Sequence, residues 1–289
     1  MENFVFENDI TEAIASLVEE KRHSQKLLEQ FPNPLLRDDV FDLLDLYCTV
    51  VFFPLPNEKN NGFHLVGVPD KTGLGKDFVY INTAQTLEKQ VFTAAHELGH
   101  IWEVDECIAK KCNLTLTPDI SEHIINRFAS ELMMPKEQFI TAYASEITKY
   151  QKENNKITIF NMMKILTNLI NRFFVPLKAI VYRLRELQMI SNDVATLFGG
   201  KGMIPEELLY TMVRELMIVQ GYTRFIEPTN KRWIDGLAEH IEQAEKRMTL
   251  NANKLDNLKK QFKLTGRTDT IQWEKTINMK APKEIGDAD

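Results

Sequence analysis

Phe92-Thr93-Ala94-Ala95-His96-Glu97-Leu98-Gly99-His100 places two histidines four residues apart, with a glutamate directly after the first. On a helix, residues i and i+4 share a face, so both imidazoles can reach one ion. In zinc hydrolases of this pattern the glutamate stays off the metal. It takes a proton from water whose pKa the metal lowers from about 16 to about 7. A chance match in a chain of this length arises about once in a hundred. The apolar turn before His96 argues for a buried helix, where two unliganded histidines would be costly. Residues 86–103 are therefore expected to form a helix, with His96 and His100 as metal ligands and Glu97 as general base.

Catalytic zinc usually has three protein ligands plus water. The subclass with a third histidine six residues after His100 is excluded, because that position is Glu106 and its glycine position is Glu103. Cys107 and Cys112 form a weak motif and are read as ordinary thiols. The remaining source is a carboxylate on the next helix. That helix is expected to start at Thr117-Pro118, with Thr as N-cap and Pro in the first turn, and to run to about Met134. Asp105, Glu106 and Asp119 fall in or beside the connecting loop.

Upstream, Cys48–Phe53, Phe63–Val68 and Lys76–Asn82 are β-branched and aromatic runs separated by turn-rich spacers, which predicts three short antiparallel strands. The strand at Phe78–Asn82 would offer its edge to an extended substrate. Residues 10–30 and 36–47 read as amphipathic helices, as do stretches near 156–172 and 175–188. Gly199-Gly200-Lys201-Gly202 is the linker candidate, and Pro205–Gly221 a further helix. Over 230–262, apolar residues at Ile234, Leu237, Ile241, Ala244, Met248, Leu255, Leu258 and Phe262 alternate threes and fours, with Asn251 in the missing place. That predicts one long helix with a heptad-like seam, its Trp233 and Phe262 in the core.

Within this frame the chain resembles the ImmA/IrrE family of metallopeptidases. The resemblance rests on Phe92–His100, on Glu122-His-Ile-Ile-Asn126-Arg-Phe-Ala-Ser-Glu-Leu-Met-Met-Pro135, and on Phe174-Val-Pro-Leu-Lys-Ala-Ile-Val-Tyr-Arg183-Leu184. It covers about residues 36–190. Departures are Ile125 and Pro176, where the family usually has Ala and Ser, and Met133 for Leu. The resemblance implies Glu122 as third zinc ligand and Asn126 as the residue that holds a liganding histidine by its second nitrogen. It also implies a partner substrate, a helix-turn-helix repressor, and a setting on bacterial mobile elements or stress loci. By helical arithmetic Asn126, Ala129 and Met133 share the Glu122 face, small Ala129 allowing close approach to the histidine helix, while Glu131 falls opposite and is expected in solvent. His23, His64 and His240 are isolated and read as surface or structural residues, and His123 is left out of the ligand set.

The expected fold class is α+β: a zincin-like domain with a small antiparallel sheet plus helices, followed by an all-helical C-terminal region. The expected divisions are a helical segment at 1–35, the metallopeptidase domain at 36–198 and a helical domain at 203–289. The 289 residues contain 44% hydrophobic and 26% charged residues, which excludes wholesale disorder. Net charge is −6, and residues 1–199 are no obvious nucleic-acid binder. Lys246–Arg267, with seven basic residues and one acid, reads as a solvated helix face or as a docking surface for an acidic partner or nucleic acid. The seam could also assemble the chain with itself. Three cysteines, no visible secretory signal and no membrane-length apolar run point to a cytoplasmic protein. The rival reading is a zinc-containing regulatory or toxin-like module that acts by binding a transcription factor or nucleic acid.

Overall fold

The computed structural model describes residues 8–56, 60–67, 76–150, 157–200, 202 and 204–264. In chain order the elements are α1 (Asn8–Arg22), α2 (Gln25–Gln30), α3 (Asp39–Asp45), β1 (Thr49–Phe53), β2 (Gly62–Leu65), β3 (Phe78–Asn82), α4 (Leu87–Ile101), α5 (Val104–Cys112), α6 (Pro118–Met133), α7 (Lys136–Tyr150), α8 (Ile159–Phe173), α9 (Leu177–Glu186), α10 (Asn192–Phe198), α11 (Glu206–Val219), β4 (Trp233–Ile234), α12 (Leu237–Lys246) and α13 (Ala252–Gln261). The α+β class holds. Contacts divide the chain into a unit at Met1–Lys231 and a smaller one from Arg232.

In the first unit the strands lie in the order β2–β3–β1. β2 pairs antiparallel with β3, Gly62 facing Ile81, but β1 pairs parallel with β3, Thr49 facing Phe78. The expected all-antiparallel sheet is thus corrected. Spacers 54–61 and 66–77 are long enough to carry the chain past its neighbour, so consecutive strands need not form a meander. β3 is consequently the middle strand of these three, and β2 the edge. The edge expected at Phe78–Asn82 is already occupied on both sides.

Helix α4 begins after Thr86, and Val91, Ala94, Ala95 and Leu98 form its fully buried stripe. Thr117 Oγ1 accepts the Ile120 N–H and Pro118 opens α6, as the sequence indicated. α6 packs against α4, α5 and α1. Gly99 makes the α4–α6 approach feasible: a Cβ there would meet Phe128 at 3.0 Å and Ile125 at 3.1 Å. The closest approach thus involves the departure residue Ile125, which is fully buried.

The expected division at Gly199–Gly202 is not where the contacts part. α11 packs on α8. Gln220 Nε2 donates to Asn168 Oδ1 at 2.8 Å, and Asn230 N donates to Thr83 O at 2.8 Å. The chain to Lys231 therefore closes back on the first unit, and α1, expected in a separate segment, packs there too. In the second unit the single long helix is two short ones. Met248 (φ 50°) ends α12, with Met248 N bonded to Glu245 O and Thr249 N to Ala244 O. Asn251 is the N-cap of α13, its Oδ1 accepting Lys254 N–H at 2.9 Å. The threes-and-fours spacing ran on across this break because a Schellman-type stop followed by a cap spans about one turn. Trp233 is exposed, Phe262 is half-buried, and Ile241 and Leu255 are the buried seam residues. Of the basic run, Lys246, Lys259 and Lys260 pair with Glu242, Glu245 and Asp256, and Arg267 lies outside the described residues.

Among the described residues no single helix is long and apolar enough to cross a membrane. One pair, α8 with α9, passes that test together but is bent by 103°, and its apolar side chains fill the core.

Candidate metal centre

His96 and His100 project from one face of α4 toward Glu122 in the second turn of α6. Ligand atoms of the three lie within 4.8 Å of one another. The His96 and His100 Nε2 atoms are 3.2 Å apart, His96 Nε2 is 3.4 Å from Glu122 Oε2, and His100 Nε2 is 3.6 Å from Glu122 Oε1. Donors held about 2.0–2.1 Å from a tetrahedral centre lie roughly 3.3–3.4 Å apart. The triangle therefore has the dimensions that zinc requires. The two histidine side chains are 17% and 25% exposed and that of Glu122 is 57% exposed, so the triangle is open to solvent on the Glu122 side.

Asn126, one turn after Glu122, fixes the tautomer. Its Nδ2 donates to Glu122 O at 2.7 Å, which leaves Oδ1, 3.2 Å from His96 Nδ1, as acceptor. The proton then sits on Nδ1, and the Nε2 lone pair faces the other two ligands. Electrostatics agree. Burial pushes His96 down, but Glu122, Glu97 and Asn126 outweigh it and hold the ring above its usual range. Burial and the adjacent His96 depress His100. The bond to His96 holds Glu122 below the carboxylate range against burial.

Glu97 is buried, 6% exposed, and is not in the triangle. It faces β2: a Cβ on Gly62 would lie 3.6 Å from Glu97 Oε1 and 2.5 Å from Thr93 Cγ2. Only glycine lets the strand lie this close. Burial raises the Glu97 carboxyl, and the charges of His96 and His64 oppose that rise.

The other acids near His100 have different places. Asp105 and Glu106 are in the first turn of α5, a helix where a loop was expected. Asp105 Oδ2 accepts from Ser121 Oγ and ties α5 to α6. Cys107 and Cys112 are free thiols on α5, outside the triangle. Glu131 overturns the expectation of a solvated side chain. It is buried, 5% exposed, and paired with Arg183 and Arg127. The helical arithmetic placed it opposite Glu122 correctly, but that face of α6 meets α9 and its fully buried Arg183 rather than water.

Sequence reasoning missed His64. Its Nε2 lies 2.8 Å from Asp77 Oδ2 on the β2 face that meets α4. The available signal was position, His64 standing two residues after Gly62 in a strand. What that face would meet was not readable.

Residues 45–185 match the Peptidase_M78 family, described as an IrrE N-terminal-like domain. The domain that this span forms belongs to the ImmA/IrrE family. The matched span contains every residue of the triangle, Glu97 and Asn126, together with the β-sheet of the first unit and helices α4 to α8. A solved structure described as a Mycobacterium tuberculosis transcriptional regulator is similar over 63% of this chain, with 15% identity and a TM-score of 0.39. This chain spans 48% of that structure, about half its length. No curated protein matches at a comparable level. Among the family's usual features, Ile125 is the departure nearest the site, and its side chain packs on Gly99 rather than into the triangle.

Proposed function

We propose that this ImmA/IrrE family member is a zinc-dependent endopeptidase that hydrolyses a peptide bond in a partner protein, a helix-turn-helix repressor by family likeness. His96, His100 and Glu122 would hold the ion. The observation that carries the reading is Glu97: a buried carboxylate beside the triangle, outside it, and turned toward the edge strand β2. Zinc held by two imidazoles and a carboxylate acidifies water and polarises carbonyl oxygens. Glu97 would take the proton from the attacking water and return it to the leaving amine. Asn126 keeps the His96 ring in its liganding orientation. An extended substrate would add to β2, the outer strand among the described residues, with main-chain hydrogen bonds supplying affinity. Docking of the partner, or self-association, is assigned to the helices of the second unit.

Glu97→Gln keeps size and leaves the three ligands in place. The expected result is zinc close to one per chain and hydrolysis reduced at least ~10²-fold. Mass spectrometry of cellular proteins, wild type against Glu97→Gln, should show one specific new terminus with wild type alone. Equal processing by both proteins would overturn the mechanism and favour action by binding.

A further inference from the structure

His64 and Asp77 stand outside the ligand triangle, and the charge of His64 acts on Glu97. Gly62 and His64 occupy the same face of β2, about 7 Å apart as strand residues i and i+2. At Gly62 that face is 3.6 Å, measured from a Cβ position, from Glu97 Oε1. Asp77 Oδ1 accepts the Gly67 N–H at 2.7 Å, and its Oδ2 is 2.8 Å from His64 Nε2. The Gly67 N–H, followed by His64, holds the Asp77 carboxyl below its usual range against burial. An ionised carboxylate only accepts, so Nε2 of His64 carries hydrogen and Nδ1 is the ring atom left to meet a substrate. The side chains of His64 and Asp77 are 15% and 29% exposed, recessed but open to a bound chain. The field of His64 reaches both Glu97 and His100.

We propose that His64, oriented by Asp77, is a catalytic residue whose Nδ1 side hydrogen-bonds the oxyanion of the tetrahedral intermediate. The proposal rests on the peptidase reading above. As the water oxygen bonds to the scissile carbon, Glu97 takes a water proton and the carbonyl π pair moves onto oxygen. When that pair returns, the C–N bond breaks and Glu97 protonates the amine. His64 exchanges no proton in these steps, so no further reactant is needed. A substrate strand paired on β2 would run beside this ring, within reach of such a hydrogen bond.

The test uses the full-length protein loaded with zinc, a peptide library read by mass spectrometry, and a phosphinic peptide built on the sequence that wild type cleaves. Acetohydroxamate, a small metal-binding probe, serves as the control ligand. His64→Gln should retain zinc and acetohydroxamate binding, lose ~10²-fold in kcat with KM little changed, and bind the phosphinic peptide weaker by a similar factor. Asp77→Asn should act in the same direction by about tenfold. A structural clasp would instead change melting temperature and zinc content together with activity. Unchanged kcat and phosphinate affinity in His64→Gln would overturn the proposal while leaving the peptidase reading intact. If wild type cleaves no peptide in the library, the peptidase reading itself fails and the role of His64 falls with it. Should His64→Gln not fold, nitrogen NMR of histidine-labelled wild type decides. The phosphinic peptide must bring His64 Nδ1 into a hydrogen bond, and an unmoved resonance sinks the idea.

Discussion

At Asn126 a single side chain bonds in two directions, to the Glu122 carbonyl and to His96 Nδ1. Neither bond contributes much to folding, because alanine forms helix better than asparagine and would replace it on α6 without loss of helix. Their effect falls on the imidazole, whose liganding nitrogen is selected by the bond at the other one. Asn126→Ala is therefore expected to fold normally and to bind zinc ~10- to 100-fold more weakly. Competition against a chelator of known affinity measures this. Unchanged affinity would mean that another group orients His96. Glu122→Ala should go further and lose most bound zinc, while Asp105→Asn, on the neighbouring helix and tied to Ser121, should keep it. Metal analysis of the purified variants separates the two.

Helix α6 carries the candidate ligand on one face and a buried ion network on the other. Arg183 and Glu131 are nearly inaccessible, with side chains 0% and 7% exposed, and Arg127 and Glu186 extend the pairing. Removing one partner of a buried pair leaves the other charge uncompensated and costs about 3–5 kcal/mol. Burial pushes Glu131 up, yet Arg183 and Arg127 prevail and hold it below the carboxylate range. A carboxyl depressed by folding contributes stability above its unfolded value of about 4.3, and that contribution is lost as pH falls through the lower folded value. Glu131→Gln should thus be destabilised by several kcal/mol at pH 7, with the gap to wild type closing below about pH 4. Denaturant titrations of both proteins across pH test the sign, and a gap that widens on acidification would contradict it. The sequence-based reading fixed the angle of Glu131 around the helix. It could not show that α9 covers that face.

For the whole molecule, the limit of the first unit at Lys231 makes a prediction about truncation. A fragment of residues 1–231 should fold and bind zinc as the full chain does. A fragment ending at Gly199 lacks α11, whose Leu209, Val213, Leu216 and Met217 are buried. It also loses the bonds from Gln220 and Tyr222 to Asn168. Burial of each such apolar side chain is worth about 1.5–3 kcal/mol before the entropy of ordering the helix is subtracted. The shorter fragment should melt at least ~5 °C lower. Equal melting of the two fragments would place the boundary back at the glycine cluster.

The sequence by itself determined the local features: the helix of the two histidines, the Thr117-Pro118 start of α6, the α+β class, and, through family likeness, the association of Glu122 and Asn126 with His96. These follow from residue spacing along one helix or from motifs in fixed order, so they survive whatever the rest of the chain does. Tertiary structure decided the parallel pairing of β1 with β3, the edge position of β2, the burial of Glu131, the break at Met248–Asn251 and the approach of β2 to Glu97. Each depends on which element covers which face. Strand alternation gives a side but not its neighbour, and helical phase gives an angle but not whether protein or water lies there. Gly62 shows the limit most plainly. In sequence it is one glycine in a polar spacer, and in the fold it is the place where an edge strand can lie against the buried Glu97.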